Sequence, residues 1–422
     1  MKKFQTALIL GAGRSGKAAA ELLRSEGCEV VCVDETSTPD YRFTALPFTP
    51  DVAIVSPGFS LKHPWMNELS DAGVPMISEI ELGWSRRRCP VIAVTGSNGK
   101  SSVVKLIADA FAVSGKRAVP CGNYGFPVCA AVMADETPDW LVMEVSSFQL
   151  ETVHAFRPDV GVLLNVLPNH LDRHGDMDEY RRLKMRLFEK MAAGDTAIIP
   201  FSLLSYIPDE SAAAWKTFGT EEGADFVFSS HSAGDINLTG TWFDNPVLGI
   251  AAAAVAAVCD ACGVPATAAE AAARAFVPLP HRTQLIAEIG GVKFIDDSKA
   301  TNLAAMCAAV GMIPAGGAIH LIAGGRSKES DFSFAKDLLA QRVRRLYLIG
   351  EASSSMEAAW KDAVECLSCG TLDNAVRAAK EMAEPGDTVL LSPACTSFDQ
   401  FSSFGERGDC FAAAVLGESR KG

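Results

Sequence analysis

Short apolar runs alternate with amphipathic stretches along almost the whole chain. Runs of this kind read as strands buried on both faces, and the stretches between them as helices that cover a parallel sheet. TALILGAG (6–13) is the first such strand, and GKAAAELLRSEG (16–27) is the helix after it, closed by Gly27. EVVCVDE (29–35) and DVAIVSPGF (51–59) follow as strands. CPVIAVTG (89–96) restarts the pattern, and SVVKLIADAFAVSG (102–115) is its helix. Further buried strands end at Glu144 and at Asn165 of GVLLN (161–165), and others are AIHLIAGG, RLYLIG and DTVLLSPA beyond residue 317. The pattern breaks twice, at Arg86–Arg88 with Pro90 and at the prolines of AFVPLPHRT (275–283). The fold class is therefore α/β, in three domains over 1–88, 89–278 and 279–422. No repeat or low-complexity tract interrupts them.

A length of 422 residues agrees with two to three domains. Hydrophobic residues at 48% and charged residues at 21% exclude a disordered chain. The net charge of −13 argues against a nucleic-acid binder, yet a local cationic pocket still suits an anionic small substrate. The start, MKKFQTALIL, is interrupted by Gln5 and reads as a strand, not a signal peptide. No uninterrupted apolar run reaches about 18 residues, so no membrane span is expected. The twelve cysteines follow no framework. Cys259-x-x-Cys262 and Cys366-x-x-Cys369 lie about a hundred residues apart, far beyond zinc-ribbon spacing. Reduced thiols in a cytoplasmic, monomeric protein are the expectation.

Two glycine motifs carry chemistry. Gly11-x-Gly13-x-x-Gly16 follows a strand and opens a helix, and Asp34 ends the next strand. That pattern suits a dinucleotide. The glycines require only a tight turn and close approach to a diphosphate, so a nucleotide-sugar diphosphate or a plain strand–helix turn satisfies them too. The second motif, AVTGSNGKSSVVKLIADAF (93–111), resembles a phosphate loop with unusual spacing. A Walker loop reads G-x-x-x-x-G-K-[ST], but here Val94 occupies the first glycine's place and the loop is Gly96-x-x-Gly99-Lys100-Ser101. Backbone N–H groups at a helix start favour phosphate oxygens; Lys100 would reach the terminal phosphates and Ser101 would offer its hydroxyl to Mg²⁺. Glu144, at a strand end, is placed to hold a metal or a water, or is a solvated strand end. His170, in a polar loop, is a metal ligand or simply solvated. Lys184, on a mixed helix face, reads as a surface charge.

TGSNGKSS, EVSSFQLE, NVLPNHLDRHG, YRRLKMRLFE, LPHRTQLIAEIGGVKFIDDSKATN and LLSPACTSFDQFSSFGERGDCF occur in this order. With them the whole chain resembles the Mur ligases. DDSKATN and SPACTSFDQF are similar to the D-glutamate-adding branch. The resemblance implies an N-terminal Rossmann-like domain for the uridine diphosphate, a central P-loop-type ATPase domain, and a C-terminal Rossmann-like domain for the amino acid. It implies two small-molecule substrates, UDP-N-acetylmuramoyl-L-alanine and D-glutamate, with ATP and two Mg²⁺ ions. Gly96, Ser97, Asn98, Gly99, Lys100, Ser101 and Ser102 would form the ATP loop. Asn245 would reach the adenine, and Arg282 and Asp297 the nucleotide. Ser101 and Glu144 would ligate one Mg²⁺ and His170 the second. Lys184 would be carbamylated by CO₂ and so become an anionic ligand. Ser15, Gly16, Asp34 and Asn123 would contact the nucleotide-sugar substrate. Lys299, Thr301, Lys328, Ser397 and Phe404 would hold D-glutamate or shape its pocket. Around Asn245 the chain departs from the family: Asp244 precedes it, Pro246 follows, and the family's second asparagine is absent. A sibling ligase adding another amino acid, an NAD-dependent oxidoreductase and a non-catalytic nucleotide-binding module are the alternatives. The last two leave the Lys100, Glu144, His170 and Lys184 set without a role.

Overall fold

The computed structural model describes residues 3–34, 46, 48–59 and 62–417. Glu35 and Thr36, next to Asp34, lie outside the described residues. The chain forms two compact units. One comprises Met1–Val166, Asp178–Asp244 and Leu248–Phe276; the other comprises Leu167–Met177, Asn245–Val247 and Val277–Gly422.

The first unit holds two sheets. β1 (Thr6–Leu10), β2 (Glu29–Val33), β3 (Val52–Val55) and β4 (Met76–Ser78) form a parallel sheet in the order β2-β1-β3-β4. Their apolar continuity has a direct cause. Ala7, Ile9 and Ile54 pack on one face against Ala19 and Leu23, while Leu8, Leu10 and Ala53 pack on the other against Trp65 and Leu69. A strand covered on both sides cannot alternate. Helix Glu79–Trp84 then leads from β4 toward the second sheet. Glu79 is buried there; its Oε1 accepts the Cys129 N–H at 2.6 Å, and its Oε2 has no partner. Burial pushes its carboxyl up to about 7, against the downward pull of that hydrogen bond.

The second sheet is built from β5 (Val91–Thr95), β6 (Ala118–Gly122), β7 (Trp140–Glu144), β8 (Val160–Leu163), β9 (Thr196–Pro200), β10 (Ala214–Gly219), β11 (Phe226–Ser229), β12 (Ser232–Ala233) and β13 (Ile236–Asn237). The order is β13-β12-β11-β10-β9-β8-β5-β7-β6. Pairings from β6 to β11 are parallel, and β12 and β13 add antiparallel. β5 lies between β7 and β8, so the strand order reverses around it, which is where parallel sheets open a crevice for ligands. β10 to β13 occupy a stretch in which the apolar pattern names no element.

The second unit holds β14 (Gln284–Ile289), β15 (Val292–Asp296), β16 (Ile319–Gly324), β17 (Val343–Ile349), β18 (Glu365–Gly370) and β19 (Thr388–Leu391) in the order β14-β15-β19-β16-β17-β18. β14 is antiparallel to β15 and the remaining pairings are parallel. Leu321, Leu346 and Leu390 face one apolar layer, and Ile322, Tyr347 and Leu391 the other. The α/β class expected from the alternation is thus present in all three sheets.

Candidate active site

The loop after β5 carries the compact phosphate motif. Gly96 and Gly99 adopt φ of 154° and 85°, and helix Lys100–Val113 begins directly after Gly99. A Cβ on Gly96 would stand 3.0 Å from the Leu164 Cβ, so the loop lies flat on the exit of β8. The neighbouring Asn165 braces it. Its Oδ1 accepts the N–H of Ser97 and of Asn98, each at 3.0 Å, and its Nδ2 donates to the Asn98 carbonyl at 3.2 Å. Tyr180 and Ser97 join their hydroxyls at 3.2 Å. The Lys100 ammonium folds back onto the carbonyls of Gly96 (2.7 Å) and Ser97 (3.0 Å). Ser101 and Ser102 are buried in the first turn of the helix.

Glu144 ends β7 beside this loop and is only 3% exposed. The Ser101 hydroxyl donates to its Oε2 at 2.6 Å, and the Asn123 amide donates to its Oε1 at 2.6 Å. Both donors are neutral, and among the described residues no Lys, Arg or His pairs with this carboxylate. Lys184 presents the complementary case. It is 1% exposed, not a surface charge, and its amine lies 4.4 Å over the Tyr180 ring. Burial, then the charge of Lys100, drives its pKa well below the ordinary lysine value. Among the described residues no group of three or more His, Cys, Asp and Glu side chains is arranged to hold a metal. The donors at Glu144 are hard oxygens, however, and a buried carboxylate held only by neutral groups suits a hard divalent cation. His170 lies in the other compact unit, in the left-handed region at φ 57°, with its ring 6.5 Å from that of His174.

The glycine loop after β1 is braced similarly. Asp34 Oδ2 accepts the Ala12 N–H at 2.9 Å, and the Ser56 hydroxyl donates to the Gly11 carbonyl at 3.1 Å. A Cβ on Gly16 would fall 1.9 Å from the Gly11 carbonyl oxygen, whereas one on Gly13 would meet nothing within 4 Å. The third glycine therefore serves packing and the second leaves open space. Ser15 is half-buried in the first turn of helix Arg14–Ser25.

In the second unit Asp297 is buried just beyond β15. The Ser392 hydroxyl and the Thr283 N–H donate to it at 2.9 and 3.1 Å. Burial outweighs these bonds and the nearby Arg282, and lifts its carboxyl to about 7. Lys299 stands 4.0 Å over the Phe404 ring, and the Thr301 N–H donates to the Lys299 carbonyl at 2.8 Å. Ser397 is buried, and its carbonyl accepts the N–H of Phe401 at 2.8 Å. Burial lowers the pKa of Lys328, against the pull of Asp172 and Glu329. Asn245 is half-buried just before helix Pro246–Ala261.

Three residues at these sites were not singled out as site residues from sequence: Asn165, Tyr180 and Arg407. Arg407 is 1% exposed. Its Nε donates to the Ser298 hydroxyl at 2.9 Å, and its Nη2 to the carbonyls of Ser298 and Cys395 at 2.9 and 3.0 Å. It thereby ties the DDSKATN loop to the SPACTS loop.

Comparison with known proteins identifies the family. Residues 94–243 match the pattern described as the Mur ligase middle domain, and residues 281–395 match that of the Mur ligase glutamate ligase domain. The UDP-N-acetylmuramoylalanine–D-glutamate ligase of Acidobacterium capsulatum is 36% identical over 454 residues, covering 98% of this chain and 96% of that protein. The ligase of the same name from Syntrophotalea carbinolica is 34% identical over 450 residues, covering 97% and 96%. Among solved structures, the MurF ligase of Thermotoga maritima in complex with ADP aligns with a TM-score of 0.63 at 17% identity, over 98% of this chain and 94% of that one. MurC from the same organism gives 0.61 at 15% identity, over 98% and 99%. The structural likeness at these identities speaks for the fold, and the sequence matches speak for descent: the chain belongs to the Mur ligase family.

Proposed function

We propose that this chain is an ATP-dependent, ADP-forming ligase that joins D-glutamate to UDP-N-acetylmuramoyl-L-alanine during peptidoglycan precursor synthesis. The observation that carries the reading is the Ser101–Glu144–Asn123 contact: a buried carboxylate, held by neutral donors only, at the mouth of a lysine-bearing phosphate loop. Relatives of that activity align over nearly the full length.

A carboxylate is a poor electrophile. In the first step an oxygen of the alanyl carboxylate attacks the γ-phosphorus, the bond to the β-phosphate oxygen breaks, and ADP leaves. In the second the amine of D-glutamate attacks the acyl phosphate carbonyl, loses a proton, and expels inorganic phosphate. Lys100 neutralises charge on the transferring phosphoryl group after leaving the carbonyls of Gly96 and Ser97. Ser101 and Glu144 would hold one Mg²⁺; His170 would help hold a second, and carbamylated Lys184 would be an anionic ligand. When bound, the ions would supply charge neutralisation for the transferring phosphoryl group. Lys184 suits carbamylation because CO₂ reacts with a neutral amine, and burial favours that form. Gly13 leaves room for a diphosphate, and Ser15, Gly16, Asp34 and Asn123 would contact that substrate. Asn245, Arg282 and Asp297 serve ATP; Lys299, Thr301, Lys328, Ser397 and Phe404 serve D-glutamate. The working domains are 1–88, 89–278 and 279–422, in a cytoplasmic monomer. Among the described residues no helix is long and apolar enough to cross a membrane.

The test is phosphate release from ATP with UDP-N-acetylmuramoyl-L-alanine, comparing D-glutamate, L-glutamate and a diamino acid. D-glutamate alone should stimulate release; stimulation by another amino acid instead rejects the assignment. Lys184→Ala should lose activity and recover part of it with added short carboxylates. Full activity without them would exclude the carbamate.

A further inference from the structure

The N–H groups of Ser97 and Asn98 are the loop donors that an anion would be expected to meet, yet both already point at a protein acceptor. That acceptor, Asn165 Oδ1, comes from the exit of the neighbouring strand β8, 68 residues away from Ser97. The same side chain closes a second bond, from Nδ2 to the Asn98 carbonyl. An amide that accepts from the N–H and donates to the C=O of one residue copies the pairing of an adjacent strand. The planar, neutral carboxamide of Asn or Gln suits this pairing, and Gln carries an extra methylene into a loop already seated on Leu164.

We propose that Asn165 is a positioning residue for ATP. It occupies the N–H groups of Ser97 and Asn98, so that the triphosphate is gripped by the backbone from Gly99 onward and by Lys100. The inference rests on the ATP-ligase reading and goes beyond it by dividing the loop into a braced half and a gripping half. Neutrality of the brace matters, because a carboxylate at this place would oppose the triphosphate.

The test uses the full-length chain and its Asn165→Ala and Asn165→Asp variants. MgADP binding is measured by calorimetry, with KM for ATP and for D-glutamate from phosphate release and melting temperature by scanning fluorimetry. Asn165→Ala removes the side-chain acceptor, leaving the Ser97 N–H only the Asn165 main-chain carbonyl at 3.1 Å, and should raise the MgADP Kd and the KM for ATP at least tenfold. Asn165→Asp keeps the acceptor for both N–H groups and loses the donor to the Asn98 carbonyl, so it should fold with a lowered melting temperature, and its charge should weaken nucleotide binding by at least as much. KM for D-glutamate should stay within twofold in both. Nucleotide affinity within twofold of wild type in Asn165→Asp overturns the proposal, even if Asn165→Ala fails to fold. So does a loss confined to kcat. A wild-type chain that binds no MgADP refutes the ATP reading itself, a result distinct from variants that bind as well as the wild type.

Discussion

The two glycine loops of the first unit share one plan and differ in their braces. Each follows a strand, opens a helix, and is held by a side chain from the end of the neighbouring strand. The loop at Gly11–Gly16 is held by a carboxylate, Asp34, and the loop at Gly96–Ser101 by a carboxamide, Asn165. Only the second carries a lysine, and that lysine lies on loop carbonyls. The difference is electrostatic. A triphosphate favours a cation and a neutral brace against its loop N–H groups, whereas an acid beside the first loop is free to meet hydroxyl and N–H groups of a nucleoside.

Four changes would break or sharpen this contrast. Lys100→Ala should cut ligase turnover about a thousandfold, as expected for losing a charge aimed at a transferring phosphoryl group; circular dichroism should stay unchanged. An active variant would make the two loops equivalent.

The joint between the two sheets gives the next effect. Glu79 has its carboxyl raised from 4.5 to about 7, so the folded state holds its proton more tightly than the unfolded state. Stability then falls as pH rises from 4.5 toward 7 and stays low above it. Each tenfold change in proton affinity is worth about 1.4 kcal/mol, which gives a penalty of about 3 kcal/mol at pH 8. Glu79→Gln should remove it, raising the urea midpoint at pH 8 and scarcely at pH 5. Equal gains at both values would mean that the proton is not the cause.

Gly16→Ala should cost about 2 kcal/mol, since its Cβ would collide with a backbone oxygen; a melting curve reads this directly. The smallest effect is expected at Gly13→Ala. With nothing within 4 Å of its Cβ, the melting temperature should hold, while KM for the nucleotide sugar rises about tenfold as the methyl enters the diphosphate space. Unchanged KM there would leave the first loop without a ligand.

Strands buried on both faces announce themselves as continuous apolar runs, which is why β1, β3, β5, β8, β16 and β19 were legible. β10 to β13 were not: β12 and β13 are two residues each, and their pairing depends on the neighbouring strand. Lys184 shows a subtler failure. It reads as a surface lysine because its helix is charged, yet Tyr180, Leu183, Lys184 and Leu187 follow the three-and-four spacing of one buried stripe. Arg407 repeats the lesson, since it shares a stripe with Phe411 and Val415. A cation on the apolar stripe of a helix is the signal to look for. Asn165 gave a fainter sign, a polar residue straight after the apolar run of β8, and its target lay too far along the chain for spacing to reveal.

β7, β5 and β8 run side by side, and each contributes one part of the Ser101–Glu144–Asn165 cluster from its final residues or the turn beyond. Lineages can therefore lengthen or shorten the crossovers between these strands without disturbing the reaction. A single residue gained inside any of the three strands is another matter. It would slide its tip by about 3.3 Å, more than the 2.6 Å that separates Ser101 from Glu144. Insertions and deletions among descendants should accordingly cluster in the crossovers and spare the strands.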